Sequence, residues 1–402
     1  MGTWPVNAFT LTEAQRAFAE QVRALARSRL APVAASGQPG RVNRELIKTL
    51  GSLGLLARLF PGVSEGPAGP EGPEGPEGSP LPREAVSREA GATDLCLLRE
   101  SLATECTEAE TALALQGLGA YPIAQSGSAE LVRRWLPPVA AGDAVAAFAL
   151  SEPSAGSDAA ALALAAEPDA DGWRLAGEKM WISNAPEADF YTVFARTAPG
   201  AGARGVSAFV VPADRPGLTG AHLDMLSPHP IGALSFDGVP VSRRDLLGSV
   251  NGGFRVAMRT LDLFRPSVGA FAVGMASAAL EASVAFAGER VVFGRPLKDQ
   301  QAIAHLLAEM ATRLSAARLL VYAAAAAYDA GEQRMAGKAA MAKLFATETA
   351  QFVVDSAVQI HGARGLQRGH PLEHLYREVR APRIYEGTSE IQRTIIARDL
   401  YQ

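Results

Sequence analysis

The hydrophobic pattern changes period twice along this chain, and those two changes bound what it can fold into. In the first sixty residues the apolar positions recur at helical spacing. Ala14, Phe18, Val22, Leu25 and Ala26 lay one stripe along a helix, and a second helical run covers 43–56. Helical pattern resumes over 83–118 and again over 129–139. Between Ala146 and Leu247 the pattern shortens to alternation in brief runs, 173-WRLAGEKMWI-182, 190-FYTVFAR-196, 206-VSAFVVP-212 and 233-ALSFDGV-239, separated by Pro and Gly. From Asn251 onward strand signals vanish, and alanine-rich segments follow over 269–291, 300–331 and 332–360. Alanine at that density lets helices approach closely. The pattern predicts a mainly helical protein with a central antiparallel β domain. Its expected divisions are an N-terminal helical domain over 1–145, the β domain over 146–248 and a C-terminal helical bundle over 249–402.

Composition narrows the function classes. A chain of 402 residues, with 48% hydrophobic and 20% charged residues, has the balance of an ordinary water-soluble protein of two or three domains. A net charge of −4 gives no polyelectrolyte signature, so no nucleic-acid partner is expected. The start, MGTWPVNAFTLTEAQR, lacks the cationic and apolar regions of a signal peptide, and Val6 stands where myristoylation would want Ser or Thr. Every long apolar run is interrupted by charge, so membrane insertion is not expected. Cys96 and Cys106 are too few for a disulfide framework, and the expected location is a reducing cytoplasm. The Pro-Glu-Gly tract of 65–80 repeats glycine every third residue but is far too short for a triple helix, and it reads as an exposed loop. His361, His370 and His374 lie close in sequence without converging carboxylates, so no metal is expected.

Five short segments carry residue types suited to chemistry. The run 148-FALSEPSAGSD-158 groups Ser and Gly at a turn, where hydroxyls and backbone N–H groups suit a phosphate or the polar edge of a heterocycle. In 177-GEKMWISNA-185, Trp181 and Ser183 are placed on one strand. In 289-ERVVFGRPLKDQQ-301, Arg290 and Arg295 bracket a Phe-Gly bend between two helices. The run 358-VQIHGARGL-366 ends a helix at glycine. In 384-IYEGTSEIQR-393, Glu386 stands between an aromatic residue and a glycine, before a Gly-Thr-Ser run. Taken alone, that last segment also reads as a helix start, with Thr388 or Ser389 as N-cap and Glu386 at the positive end of the dipole.

In their order and spacing these segments resemble the acyl-CoA dehydrogenase family over about residues 10–400. The chain departs from the family pattern between Pro61 and Glu100, where the Pro-Glu-Gly tract replaces a Tyr-Gly-Gly turn. The resemblance implies an N-terminal helical domain, an antiparallel β domain, a C-terminal four-helix bundle and bound FAD. Phe148, Leu150, Ser151, Gly156 and Ser157 would line the flavin's pyrimidine edge and nearby phosphates, with Ser157 also touching substrate. Trp181 and Ile182 would flank the isoalloxazine and Ser183 would reach its N5, a contact the family usually makes with Thr. Arg290, Phe293, Gln300, Gln301, Gln359, Ile360, His361, Gly362 and Ala363 would reach the cofactor of a neighbouring subunit, in a dimer or tetramer. Ala363 replaces a family glycine there, which is tolerable at negative φ. Thr388, Ser389 and Glu390 would hold the diphosphate or ribityl region of the subunit's own cofactor.

The same resemblance makes Glu386 the base that removes the α-proton of an acyl thioester, with hydride passing from the β-carbon to flavin N5. Enclosure beside Tyr385 would raise the carboxyl's pKa and strengthen the base. Gly387 would let the backbone approach the thioester, and the Glu386 N–H would bond its oxygen. Some members carry the base on another helix just before an Arg, a position held here by Phe264, while Asp262 and Arg265 would lie beside the thioester or the pantetheine passage. The expected substrate is an acyl-CoA or acyl-carrier-protein thioester of fatty acid metabolism, and the expected acceptor an electron-transferring flavoprotein. A carrier-protein desaturase, an oxygen-reducing acyl-CoA oxidase and a non-catalytic flavoprotein remain the alternatives.

Overall fold

A computed structural model describes residues 11–60, 62 and 91–401. The tract of 65–80 and the beginning of the run over 83–118 lie outside the described residues. Two compact units emerge, a helical unit (Met1–Ala31, Gly91–Glu110, Leu261–Gln402) and a sheet unit (Pro32–Ala90, Thr111–Thr260).

In chain order the α-helices are α1 (Glu13–Leu25), α2 (Ala31–Ala35), α3 (Arg44–Ser52), α4 (Ala92–Glu105), α5 (Thr107–Ser126), α6 (Ala129–Ala140), α7 (Gly253–Glu289), α8 (Gln301–Asp329), α9 (Ala336–His361), α10 (Pro371–Glu378) and α11 (Ser389–Asp399). The helical run expected over 83–118 is broken at Cys106, whose extended backbone (φ −157°) separates α4 from α5. Thr12 and Gln15 form a capping box that starts α1, and Asn43 caps α3 through its side chain.

Within the helical unit, α4 is tied to its neighbours by charge. Glu100 accepts from Arg318 Nε and from the Tyr322 hydroxyl, each at 2.8 Å. A Cβ at Gly274 of α7 would come within 2.4 Å of the Glu100 carbonyl oxygen, so glycine permits the closest approach of these two helices. Among the described residues α7 is long and apolar enough to cross a bilayer by length and composition, with Arg265 and Glu281 bounding its uncharged stretch, and 61% of its apolar window is buried inside the fold. A core helix satisfies the same test.

The sheet unit holds β1 (Ala146–Ala149), β2 (Ala165–Asp169), β3 (Gly172–Ser183), β4 (Phe190–Arg196), β5 (Val206–Pro212), β6 (Leu218–His222), β7 (Ile231–Ser242) and β8 (Leu246–Leu247). Their order is β6-β7-β3-β2-β4-β5-β8, with β1 also on β4. The expected antiparallel domain is in fact mixed, because β1 and β2 both pair with β4 in parallel. A parallel pair needs a connection of a dozen residues or more, and the chain between these strands supplies it. Helix α5 is pinned on β1: Gln116 donates to the Ala144 carbonyl at 2.6 Å and accepts from the Ala146 N–H at 2.8 Å. Trp173, Phe190, Phe194 and Phe209 fill the core around these strands.

Strand structure also returns after Asn251, where none was expected. Val291–Val292 (β9) and Arg295–Pro296 (β10) make a hairpin across Phe293 and Gly294. Both turn residues have positive φ, 49° and 79°, the backbone of a two-residue turn matched to strand twist. Strands of two residues carry no readable alternation, which is why the sequence showed only a bend.

Candidate active site

Two positions of the sheet unit depart from regular strand geometry at the residues singled out in the sequence. A bulge interrupts the β3–β7 pairing between Lys179 and Ile182, and Trp181 within it has φ +57°. The bulge turns the indole outward, leaving Trp181 48% exposed while Ile182 is buried. The 148–158 segment is anchored from β3. The buried Lys179 ammonium donates at 2.9 Å to both the Leu150 carbonyl and Glu152 Oε1, and the Met180 N–H donates to the Ser151 carbonyl at 3.0 Å. Glu152 spends its oxygens on the Ala163 and Leu164 N–H groups as well, so the whole turn is fixed from within. Phe148 packs against Phe194 with ring centroids 4.8 Å apart and the planes tilted by 55°, whereas Gly156 and Ser157 are exposed and Gly156 has open space where a side chain would stand. Ser183 Oγ lies 2.8 Å from His229 Nε2. Burial pushes that imidazole down to about 4, so it is neutral at pH 7. His229 was not foreseen. Its segment, 224-DMLSPHPIG-232, is rich in turn residues and carries no motif that marks the histidine.

In the helical unit the base candidate sits on a turn that three helices hold. Thr388 caps α11, its hydroxyl accepting the Ile391 N–H at 3.3 Å, so the helix start read from the sequence exists and Glu386 lies two residues before the cap. Glu386 has φ +52° and Gly387 φ +94°. A left-handed non-glycine residue costs about 1–2 kcal/mol, so the surroundings must enforce it. They do so through the carbonyls. Lys343 Nζ from α9 donates to Tyr385 O at 3.0 Å and Gly387 O at 2.6 Å. Gln392 Nε2 from α11 donates to Glu386 O at 3.1 Å and Gly387 O at 3.0 Å, and Arg265 Nε from α7 reaches Glu386 O at 3.4 Å. A Cβ at position 387 would stand 2.6 Å from Gln392 Nε2, so the glycine serves this packing directly.

The carboxyl group itself is left available. Glu386 Oε2 is buried and has no hydrogen-bond partner among the described residues. Burial raises its pKa above the ordinary glutamate value, and the charges of Arg99, Lys343 and Arg265 oppose that rise. Arg99 is buried on α4, where its Nη1 donates to Ser267 Oγ at 2.7 Å and its Nε to Glu110. Glu110 is pushed up to about 7 by burial, against the pull of Arg99. Phe264 is buried on α7 and offers no carboxylate. Asp262 lies 3.6 Å from Arg265, which is turned toward the Glu386 turn.

The remaining positions fall in separate places. Arg290, Phe293, Gln300 and Gln301 surround the β9–β10 hairpin, where Arg295 donates to Gln300 at 3.0 Å and Phe293 is 97% exposed. At the end of α9, Gln359 is exposed, Ile360 buried, and His361 stacks on Phe286 at 4.3 Å. Gly362 has φ +60° with open space around it, and Ala363 follows at negative φ in a 3-10 turn, the condition set for replacing a glycine there. Ser389 donates at 2.6 Å to Glu348 and is buried, while Glu390 is exposed beside Arg393. Arg99, Glu110, Lys343 and Gln392 were missed by sequence reasoning. Arg99, Glu110 and Lys343 are remote in sequence from Glu386 and no motif marks them, whereas Gln392 lies inside the 384–393 segment, where nothing local shows that its side chain folds back onto the Glu386 turn.

The enforced turn thus presents Glu386 with one carboxyl oxygen, Oε2, buried and without a hydrogen-bond partner among the described residues. Family models for the acyl-CoA dehydrogenase N-terminal domain (residues 12–70 and 72–143), middle domain (147–239) and C-terminal domain (251–401) match the sequence. The chain belongs to the acyl-CoA dehydrogenase family, oxidoreductases acting on acyl-CoA. It is 34% identical to the cyclohexane-1-carbonyl-CoA dehydrogenase of Geobacter metallireducens, over 98% of each chain. It is 37% identical to the mitochondrial short-chain specific acyl-CoA dehydrogenase of Bos taurus, over 97% of this chain and 90% of that one. Among solved structures it resembles butyryl-CoA dehydrogenase from Megasphaera elsdenii with a TM-score of 0.86 at 33% identity, covering 98% of this chain and all of the other (100%).

Proposed function

We propose that this protein catalyses the α,β-dehydrogenation of an acyl-CoA thioester to the trans-2-enoyl-CoA, with Glu386 as the base and FAD as cofactor. The observation that carries this reading is Glu386 Oε2, buried without a hydrogen-bond partner among the described residues, in a carboxyl group whose pKa burial raises, on a turn held from three helices. A glutamate near its reference value is a weak base toward a carbon acid, and desolvation strengthens it. The three cations keep the carboxyl ionisable despite its burial.

Bound FAD would supply the hydride acceptor. The residues present fit such a group: the outward indole of Trp181 offers an aromatic face, and the turn around Gly156 is open to a ligand. Phe148, Leu150, Ser151, Gly156, Ser157, Trp181, Ile182 and Ser183 would hold the ring system, and Thr388, Ser389 and Glu390 the diphosphate or ribityl region. Ser389 would have to exchange its bond to Glu348 for that contact. Arg290, Phe293 and Gln301, which are exposed, and the half-buried Gln300, with Gln359–Ala363, would meet the cofactor of a second copy in a dimer or tetramer.

Glu386 removes the α-proton. Its backbone N–H makes no hydrogen bond among the described residues and would meet the thioester oxygen as negative charge develops there. An electron-transferring flavoprotein in the cytoplasm would reoxidise the enzyme. The test is anaerobic bleaching of the FAD-loaded enzyme by a panel of acyl-CoA thioesters, in wild type and Glu386→Gln. Wild type is expected to bleach, and the variant to bind thioester but bleach about 10²–10⁴-fold more slowly. A variant that bleaches at the wild-type rate would place the base elsewhere.

A further inference from the structure

We propose that Lys343 is a positioning residue for the base: its ammonium clamps the carbonyls on either side of Glu386 and so fixes where the carboxylate points. This rests on the reading of Glu386 as the base. The geometry is specific. Nζ donates to Tyr385 O at 3.0 Å and Gly387 O at 2.6 Å, skipping the carbonyl of Glu386, which Gln392 and Arg265 serve instead. The two clamped carbonyls bracket a residue at φ +52°, a backbone that an L side chain adopts only under constraint.

Lys343 itself is buried with no exposed surface, and no carboxylate lies within ion-pair distance of it among the described residues. A buried ammonium without an ion-pair partner is costly, and these carbonyls are what compensates it. Burial pushes Lys343 down to about 8, which leaves it charged at pH 7, and the attraction of Glu386 is the largest force opposing that shift. The charged groups that face Glu386 are Arg99 from α4, Arg265 from α7 and Lys343 from α9, with Glu110 facing it as well. Arg265, Glu348 and Glu390 in turn face Lys343. Arg265 also touches the turn and faces the carboxylate, through one long bond to the Glu386 carbonyl, whereas Lys343 holds the carbonyls on both sides of it.

The test compares FAD-loaded wild type, Lys343→Met and Lys343→Gln by anaerobic bleaching with a good thioester across pH, together with FAD content and thioester binding. Met removes donor and charge, while Gln keeps a donor without charge. In both variants the acid limb of the rate profile is expected to move to higher pH, since a cation that held the Glu386 carboxyl down is gone. Met is expected to lower the plateau rate about 10- to 100-fold with thioester binding within threefold of wild type, and Gln to recover part of that plateau. An unmoved acid limb, or a loss of binding in proportion to the loss of rate, would make Lys343 a structural strut only. Should the Met variant fail to fold, the acid limb of Gln decides alone. Failure of the base reading is distinguishable, because Glu386→Gln would then bleach normally whatever Lys343 does.

Discussion

Arg99 and Glu110 form an ion pair inside the helical unit with 4% and 1% of their side chains exposed, and the same guanidinium faces the carboxyl of Glu386. One cation thus serves two buried carboxyl groups. Removing it leaves both without their main compensation, whereas removing one carboxylate leaves the other to pair with it.

Arg99→Met is therefore expected to destabilise the protein by about 3–5 kcal/mol, the cost of breaking a buried pair from one side. Urea unfolding at pH 7 measures it. Glu110→Gln should cost less, because Glu386 remains to balance Arg99. Equal losses for the two variants would show that the guanidinium does not serve both groups.

His229 makes stability fall in acid. Its imidazole is lowered by burial from 6.5 to about 4, so between those values the unfolded chain binds more protons than the folded one. Stability contributed by the neutral ring is present above pH 6.5 and lost as pH falls through 4. Unfolding midpoints measured between pH 7 and 4 should drop more steeply for wild type than for His229→Gln, which keeps a hydrogen-bonding group beside Ser183 but cannot titrate. Identical slopes would contradict the buried, neutral ring.

Phe293 sits at the tip of the β9–β10 hairpin with 97% of its surface exposed, so its side chain adds little to the stability of one protomer. Phe293→Ser should leave the unfolding midpoint of the isolated chain within about 0.5 kcal/mol of wild type, as for ordinary surface changes. Light scattering should nevertheless show weakened assembly, and dialysis should release FAD sooner. A variant with unaltered assembly and FAD retention would free the hairpin from any role between copies.

Periodicity made much of the fold legible. The runs 190–196 and 206–212 became β4 and β5 with the same ends, because both are short, apolar and bounded by turn residues. The mixed pairing was not legible, since alternation tells which face a side chain takes but not the direction of the neighbouring strand. The candidate base was legible only through its motif. Its surroundings were not: Lys343 precedes Glu386 by 43 positions and Arg99 lies farther still, distances over which no helical or strand period carries information.

The sequence by itself determined the helical and extended segments, the family and the residue types at the site, because local propensity, side-chain alternation and ordered motifs depend only on near neighbours along the chain. Only the tertiary structure decided the state of those residues. Burial raises the pKa of the Glu386 carboxyl, the cations brought against it oppose that rise, and α7, α9 and α11 enforce its left-handed turn. Desolvation and charge act through space, and a chain read in order does not contain those distances.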